Sequence, residues 1–336
     1  MHLTDPRDDL DRIQRQKERR VGHTCEWLLK REEFTTWVAK SEPQLLRLVG
    51  PPGIGKTMMS IFLVNELQAK VERTPNTTFA YFFCDYKDKV RNTPTAILMS
   101  VIQQLLLQRH TLFEHIQSDF NEQKSGLFLN FSALWRNLKN MLRDDRAGEV
   151  FVLVDALDEC ELSMRNDLLR SMEELFDPRQ TGKTGRFKFL ITCRPNIHDI
   201  EDALKGVGTS LDVDSGEINS DLSEYIDVKV DDLAVKRGYA PDLKNKVRDA
   251  LIREARGTFL WVSLMLADLK EIPQYEVKKK LKTLPRGLDE TYARILAQIP
   301  EARRKDAQFL LLCMVAAQRP LKKRKLQLHS GLGRTT

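Results

Sequence analysis

Three short stretches hold the residues whose types and spacing could do chemistry. The first is LRLVGPPGIGKTMMS, residues 46–60. Gly50, Pro51, Pro52, Gly53, Ile54 and Gly55 form a turn that neither a helix nor a strand would accept, and Lys56, Thr57 and Met58 open the segment that follows. Glycines at this spacing let successive backbone N–H groups converge on phosphate oxygens, and a helix N-terminus adds its own free donors. Lys56 is then placed to reach β- and γ-phosphates, and the Thr57 hydroxyl to ligate Mg²⁺. An ordinary surface turn with one solvated lysine is the rival account. It is the poorer one, because every fixed position of the phosphate-loop pattern is met.

The second stretch is VFVLVDALDEC, residues 150–160. A continuous apolar run, buried on both faces, suits a central parallel strand whose C-terminal end faces a crevice. Asp155 at that end is the candidate magnesium-holding carboxylate, the Walker B aspartate. Asp158 and Glu159 follow, and one of them could polarise an attacking water, with Glu159 the first choice. The alternative role for both acids is capping a helix N-terminus. The third stretch is FKFLITCRP, residues 187–195. Pro195 ends a strand there. Arg194 falls at the same sheet edge as Asp155, where it could sense a γ-phosphate, remain solvated, or pair with an acid of residues 155–161.

The surrounding pattern supplies the elements that must position these groups. Leu45 to Val49 reads as a short buried strand, and Met58 to Leu67 as a helix. Thr78 to Cys84 and Thr209 to Val213 are further strand candidates. Helices are expected at 94–108, 131–142 and 162–175, so strands alternate with helices and imply a three-layer α/β fold with a mostly parallel sheet. Residues 25–39 have near-helical spacing and read as one packing helix. Residues 8–20 are dense in both charge signs and read as a solvated helix or linker. The basic loop at 177–186 contains GKT but lacks the upstream glycines and the strand of a second phosphate loop.

Beyond residue 215 the period becomes helical: 219–233, 241–255, 258–269, 274–281, 288–298 and 306–316. Phe259, Leu260, Val262, Leu264, Met265 and Leu269 form an expected apolar stripe. The expected layout is a charged segment and packing helix at 1–44, a nucleotide-binding domain at 45–215, an all-helical arm at 216–300, and a partial winged-helix start with a basic tail at 301–336.

Composition narrows the class. The 336 residues are 41% hydrophobic and 30% charged, enough for two or three cored domains. Formal charge is +6, but residues 301–336 alone contribute +7, leaving the body near −1. No nucleic-acid surface follows for the body. KKRK at 322–325 has the composition of a nuclear-localisation tract, and a solvated tail is the simpler reading. No apolar run is long enough to span a bilayer and no secretory signal opens the chain, which leads to the expectation of a cytoplasmic protein. Cys25, Cys84, Cys160, Cys193 and Cys313 show no metal spacing, and neither do the six histidines.

With Gly50–Thr57, Asp155–Glu159 and Arg194 in place, the chain resembles the NACHT-type signal-transduction P-loop ATPases. It is most similar to fungal receptors of heterokaryon incompatibility and related NOD-like receptors. HTCEWLL (23–29), LVDALDEC, LITCRP, YIDVKV (225–230), RGTFLWVSLML (256–266), LPRGLDETYARIL (284–296) and AAQRPL (316–321) carry the likeness, over about residues 20–321. The resemblance implies an ATP/ADP switch with slow Mg²⁺-dependent hydrolysis and homo-oligomers or receptor-family partners in the ATP state. Lys56 and Thr57 would bind phosphate and magnesium, Asp155 would coordinate magnesium, Asp158 or Glu159 would support hydrolysis, and Arg194 would be the sensor. ATP is favoured over GTP by this resemblance alone. The 22 residues before His23 leave no room for the usual effector and no repeats follow Pro320, so a truncated receptor or a bare switch is expected. A non-hydrolysing nucleotide-binding interaction protein, or a non-functional receptor fragment, is the alternative.

Overall fold

Alternating apolar runs and helical periods become a parallel sheet wrapped by helices, seen here in a computed structural model that describes residues 6–16, 20–177, 185–213 and 215–316. In chain order the first elements are α1 (Pro6–Gln16), a 3₁₀ turn (Glu26–Lys30), α2 (Glu32–Ala39), β1 (Gln44–Val49) and α3 (Lys56–Arg73). Then come β2 (Thr77–Phe83), α4 (Pro94–Gln108), α5 (Glu114–Gln123), α6 (Phe131–Arg143) and β3 (Glu149–Asp155). The sheet is completed by α7 (Leu162–Phe176), β4 (Arg186–Cys193), α8 (His198–Ala203) and β5 (Thr209–Asp212). A helical series follows: α9 (Ser215–Arg237), α10 (Pro241–Glu254), α11 (Phe259–Glu271), α12 (Gln274–Leu281), α13 (Gly287–Ala297) and α14 (Glu301–Ala316).

The five strands lie in the order β2-β3-β4-β1-β5, every pairing parallel. β4 is therefore inserted between the phosphate-loop strand and the strand that ends in Asp155. Register places Val49 beside Cys193 and Asp212, and Phe83 beside Asp155, so the loops after β1, β3 and β4 emerge at one edge. β2 is an edge strand. Its outward amide groups at Phe79 and Tyr81 are matched by the side-chain amides of Gln108 and Gln104 on α4. Such pairing removes the open edge that would otherwise recruit another chain. Thr93 caps α4 by accepting from the Ala96 N–H at 3.2 Å, with Pro94 at the first helical position. Asn130 caps α6 in the same way.

Two expectations change here. Residues 25–39 are not one helix: the chain breaks at Arg31, whose backbone is extended and whose side chain pairs with Glu33 and Glu217. The charged stretch near the N-terminus is not merely solvated either, since Leu10 and Ile13 of α1 are buried and α1 packs beside β2. The GKT of 182–184 and the KKRK tract lie outside the described residues, as does most of the expected winged-helix region.

Contacts divide the chain into two compact units, Met1–Tyr225 and Ile226–Thr336, with the division inside α9. The first holds the sheet and its core. In the second, α10 packs with α12 and α11 with α13. The buried face of α11 is Trp261, Val262, Met265, Leu266 and Leu269. The expected stripe was rotated: Leu260 is exposed, while Trp261 and Leu266 are inside. A helix this apolar offers several faces of similar hydrophobicity, so periodicity alone does not select one.

Candidate functional site

The loop between β1 and α3 has the backbone its glycines predict. Gly53 and Gly55 sit at φ 79° and 97°, in the left-handed region that a side chain resists. The N–H groups of the six residues Gly53 to Met58 find no acceptor among the described residues. Six consecutive free donors at the start of an 18-residue helix make a ready anion cradle. The Lys56 ammonium lies on the same loop, donating to the carbonyl of Gly50 and, at 3.0 Å, to that of Pro51. Burial pulls the Lys56 pKa down, with Asp158 opposing that shift and Arg194 reinforcing it. Thr57 is half-buried, and its hydroxyl has no hydrogen-bond partner among the described residues.

Asp155 is 2% exposed at the end of β3. Its Oδ1 accepts from Ser60 Oγ at 2.6 Å and from Thr192 Oγ1 at 2.7 Å. Thr192 Oγ1 in turn accepts the Ala156 N–H at 2.8 Å. Ala156 itself is left-handed, φ 54°, which costs an alanine about 1 kcal/mol or more. The strained corner turns the chain so that Asp158 and Glu159 come back over the strand end. Asp155 Oδ2 takes no hydrogen bond among the described residues, so half of this buried carboxylate remains uncommitted.

Asp158 and Glu159 lie in a 3₁₀ turn and do not cap the helix that follows; Glu161 holds that position. Arg194 is brought to both acids, with Nε 3.1 Å from Asp158 Oδ2 and Nη2 3.5 Å from Glu159 Oε1. Asp158 Oδ1 is buried without a partner. Glu159 Oε2 accepts the Tyr86 N–H at 3.3 Å. Burial pushes the Glu159 carboxyl up, helped by Asp158, further than the Tyr86 N–H and Arg194 pull it down. The result is a carboxyl with a raised proton affinity beside a buried one, a pattern suited to handling a proton.

Sequence reasoning missed Arg165, which holds this turn in place. Arg165 is 5% exposed on α7, and its guanidinium grips Asp199 of α8 with Nε at 2.7 Å and Nη2 at 2.9 Å. Its Nη1 donates to the carbonyls of Asp158, at 2.7 Å, and Cys160. Ser60 and Thr192 were missed as well. Their hydroxyls sit inside a helix and a strand that read only as apolar period.

Four of the five cysteines, Cys25, Cys84, Cys160 and Cys193, are buried free thiols. Burial pushes Cys25 and Cys160 up to about 12 and Cys193 to about 11, and raises Cys84 strongly. No group of three or more His, Cys, Asp or Glu among the described residues could hold a metal by itself. The donor set at the loop, one hydroxyl and one half-committed carboxylate, instead fits a Mg²⁺ that takes most of its ligands from phosphate and water. No helix of the described residues is long and apolar enough to cross a membrane. Ahead of β1, Asp221 of α9 accepts from the Cys25 N–H at 2.7 Å and from Trp27 Nε1 at 3.0 Å. The lead-in to the phosphate loop is thereby anchored.

The profile of the Nephrocystin 3 N-terminal family matches residues 23–194, just over half of the chain, from this anchored lead-in to Arg194. The chain belongs to that family. It is 31% identical over 333 residues to the Vegetative incompatibility protein HET-E-1 of Podospora anserina, covering 96% of this chain and 24% of that protein. The chain thus spans about a quarter of that relative's length. Among solved structures, the Walker-type ATPase paby2304 of Pyrococcus abyssi aligns with a TM-score of 0.46 at 14% identity, covering 93% of this chain and 91% of its own. The ORC2 protein of Aeropyrum pernix in its ADP form gives 0.41 at 12%, with 94% and 79% covered. The parallel sheet, with its glycine loop between β1 and α3 and the helical series after it, is a P-loop NTPase-like fold.

Proposed function

We propose that this chain is a NACHT-type ATP/ADP switch that hydrolyses ATP slowly. The supporting observation is the pairing of six free loop N–H donors and Lys56 with a buried, half-committed Asp155 at the same sheet edge. The loop donors and Lys56 bind the phosphates. Thr57 and Asp155 hold Mg²⁺, which supplies charge neutralisation at the phosphates. Glu159 accepts a proton from the attacking water as its oxygen bonds to the γ-phosphorus and the β–γ bridge bond breaks. Arg194, now paired with both acids, would turn to the γ-phosphate as a sensor. The domain layout given from sequence, a cytoplasmic location and oligomerisation in the ATP state belong to the same proposal. So does a role in fungal self/non-self recognition, suggested by the name of the HET-E-1 relative.

A second reading, nucleotide binding without turnover, has its own observation in favour: Arg194 and the Tyr86 N–H already engage both Glu159 oxygens. Steady-state phosphate release by the purified chain and by E159Q separates the two. The switch reading expects slow release in the wild type, lost in E159Q with ATP binding retained. No release from either protein favours the second reading, and equal release from both removes Glu159 from the reaction.

A further inference from the structure

A second gathering of anion-binding chemistry lies in the helical unit. A cavity of about 430 Å³ opens between the end of α10, the turn after α12 and the start of α13. Its wall carries Arg253, Lys282, Arg286 and Arg294 against Glu254 and Glu290, an excess of two positive charges. Glu254, with its side chain 16% exposed, organises two of the cations: Arg253 Nε lies 2.7 Å from Oε1 and Arg286 Nε 3.7 Å from Oε2. Each of these contacts uses one guanidinium nitrogen, leaving the other donors of both forks uncommitted.

Arg294 has a different task. It donates to the carbonyls of Thr283 and Leu284 and pairs with Glu290, tying the turn to α13. The Lys282 ammonium has no ion-pair or hydrogen-bond partner among the described residues. α13 begins between two residues of the wall, Arg286 and Glu290. The Arg286 N–H donates to Glu290 at 2.7 Å, while the N–H groups of Gly287, Leu288 and Asp289 meet no acceptor among the described residues. Tethered guanidiniums and an unpaired ammonium thus converge from separate elements on one concave, polar space.

We propose that this cavity binds a small phosphate-bearing anion, at a site separate from the phosphate loop. Guanidinium forks match phosphate oxygens two at a time, and the charge excess equals that of a phosphate near neutral pH. An acidic peptide is the poorer fit, because the only apolar residues of the wall, Leu281 and Leu284, are themselves buried and leave little surface for the anchors that give peptide binding its specificity.

Calorimetric titration of the full chain with inorganic tripolyphosphate tests the assignment, using wild type, K56A, K282A/R286A and the triple variant. Lys282 and Arg286 are exposed and Arg294 is left in place, so the turn should keep its fold, with helical circular dichroism as the check. Binding that survives K56A and weakens about tenfold or more on adding K282A/R286A is the expected result. If K56A abolishes all binding, or the K56A isotherm is unmoved by K282A/R286A, the site does not exist. Hexaglutamate binding to K56A as tightly as tripolyphosphate would overturn the phosphate assignment.

Discussion

The two ends of the sheet both bury a charge, and they treat it in opposite ways. At the end away from the loops, Lys188 of β4 is fully buried opposite Gln44, the first residue of β1. Its ammonium is saturated: Glu149, the carbonyl of Val38 at 2.6 Å, and the face of Phe151 at 5.0 Å surround it. Trp37 completes that end by donating to the Phe189 carbonyl at 3.1 Å. At the loop end, Asp155 is almost as deeply buried, yet one of its oxygens is uncommitted, Asp158 Oδ1 is orphaned and Ala156 is strained. A saturated buried charge serves the fold. An unsaturated one in a strained turn marks a place where the structure expects something else to bind.

If that contrast is right, the largest stability loss comes from the saturated end. Lys188→Ala leaves Glu149 without its partner and should cost about 3–5 kcal/mol, read as a lower urea midpoint. The double variant K188M/E149Q should recover most of that loss, since a neutral pair of similar size leaves no buried charge unpaired. Nucleotide affinity should hardly move in either. A large affinity change in a still-folded K188M/E149Q variant would break the division between the two ends.

Arg165→Ala should have the next largest effect, about 2–3 kcal/mol, because Asp199 and two carbonyls lose a buried charged donor together. Its distinguishing readout is local. Amide exchange should accelerate at residues 157–161 while β1 and the phosphate loop keep their protection. Lysine at 165 should not rescue, since it cannot reproduce the forked geometry.

The smallest effect is the pH dependence tied to Glu159. Its folded pKa is raised, so the folded state holds that proton more tightly than the unfolded chain does. Stability from this group is fully present below the unfolded glutamate value and is lost as pH rises through the raised one. E159Q removes that slope. It should be the more stable protein at neutral pH, and the difference should close as pH falls through the carboxylate range. A gap of the same size at both ends of that range would mean that Glu159 is not the titrating group.

Much of this contrast was legible in the residues themselves, for unequal reasons. The phosphate loop reads clearly because Gly53 and Gly55 meet a backbone demand that few other residues can. Asp155 reads clearly because it interrupts an apolar run at a strand end. The saturated end was invisible: Lys188 inside FKFLIT looks like a solvated edge residue until Glu149 and Val38 are brought to it by the fold. Arg165 hid for the same reason, as two of its partners are carbonyls and the third lies 34 residues away. The break at Arg31 depends on Glu217, far along the chain, so local helical spacing carried straight through it. Residues 109–130, a run of short helical pieces, had no period long enough to register.

The central claim is that the loop end is built for nucleotide and Mg²⁺. Isothermal titration of ATP and ADP into wild type, K56A and D155N, each with and without Mg²⁺, tests it most directly. Wild type should bind both nucleotides. K56A should lose about tenfold to a hundredfold in affinity, the size expected for a charge-assisted phosphate contact. D155N keeps the acceptor for Ser60 and Thr192, so it should bind nucleotide while Mg²⁺ no longer tightens ATP. Unchanged affinities in K56A, or a full Mg²⁺ effect in D155N, would contradict the account.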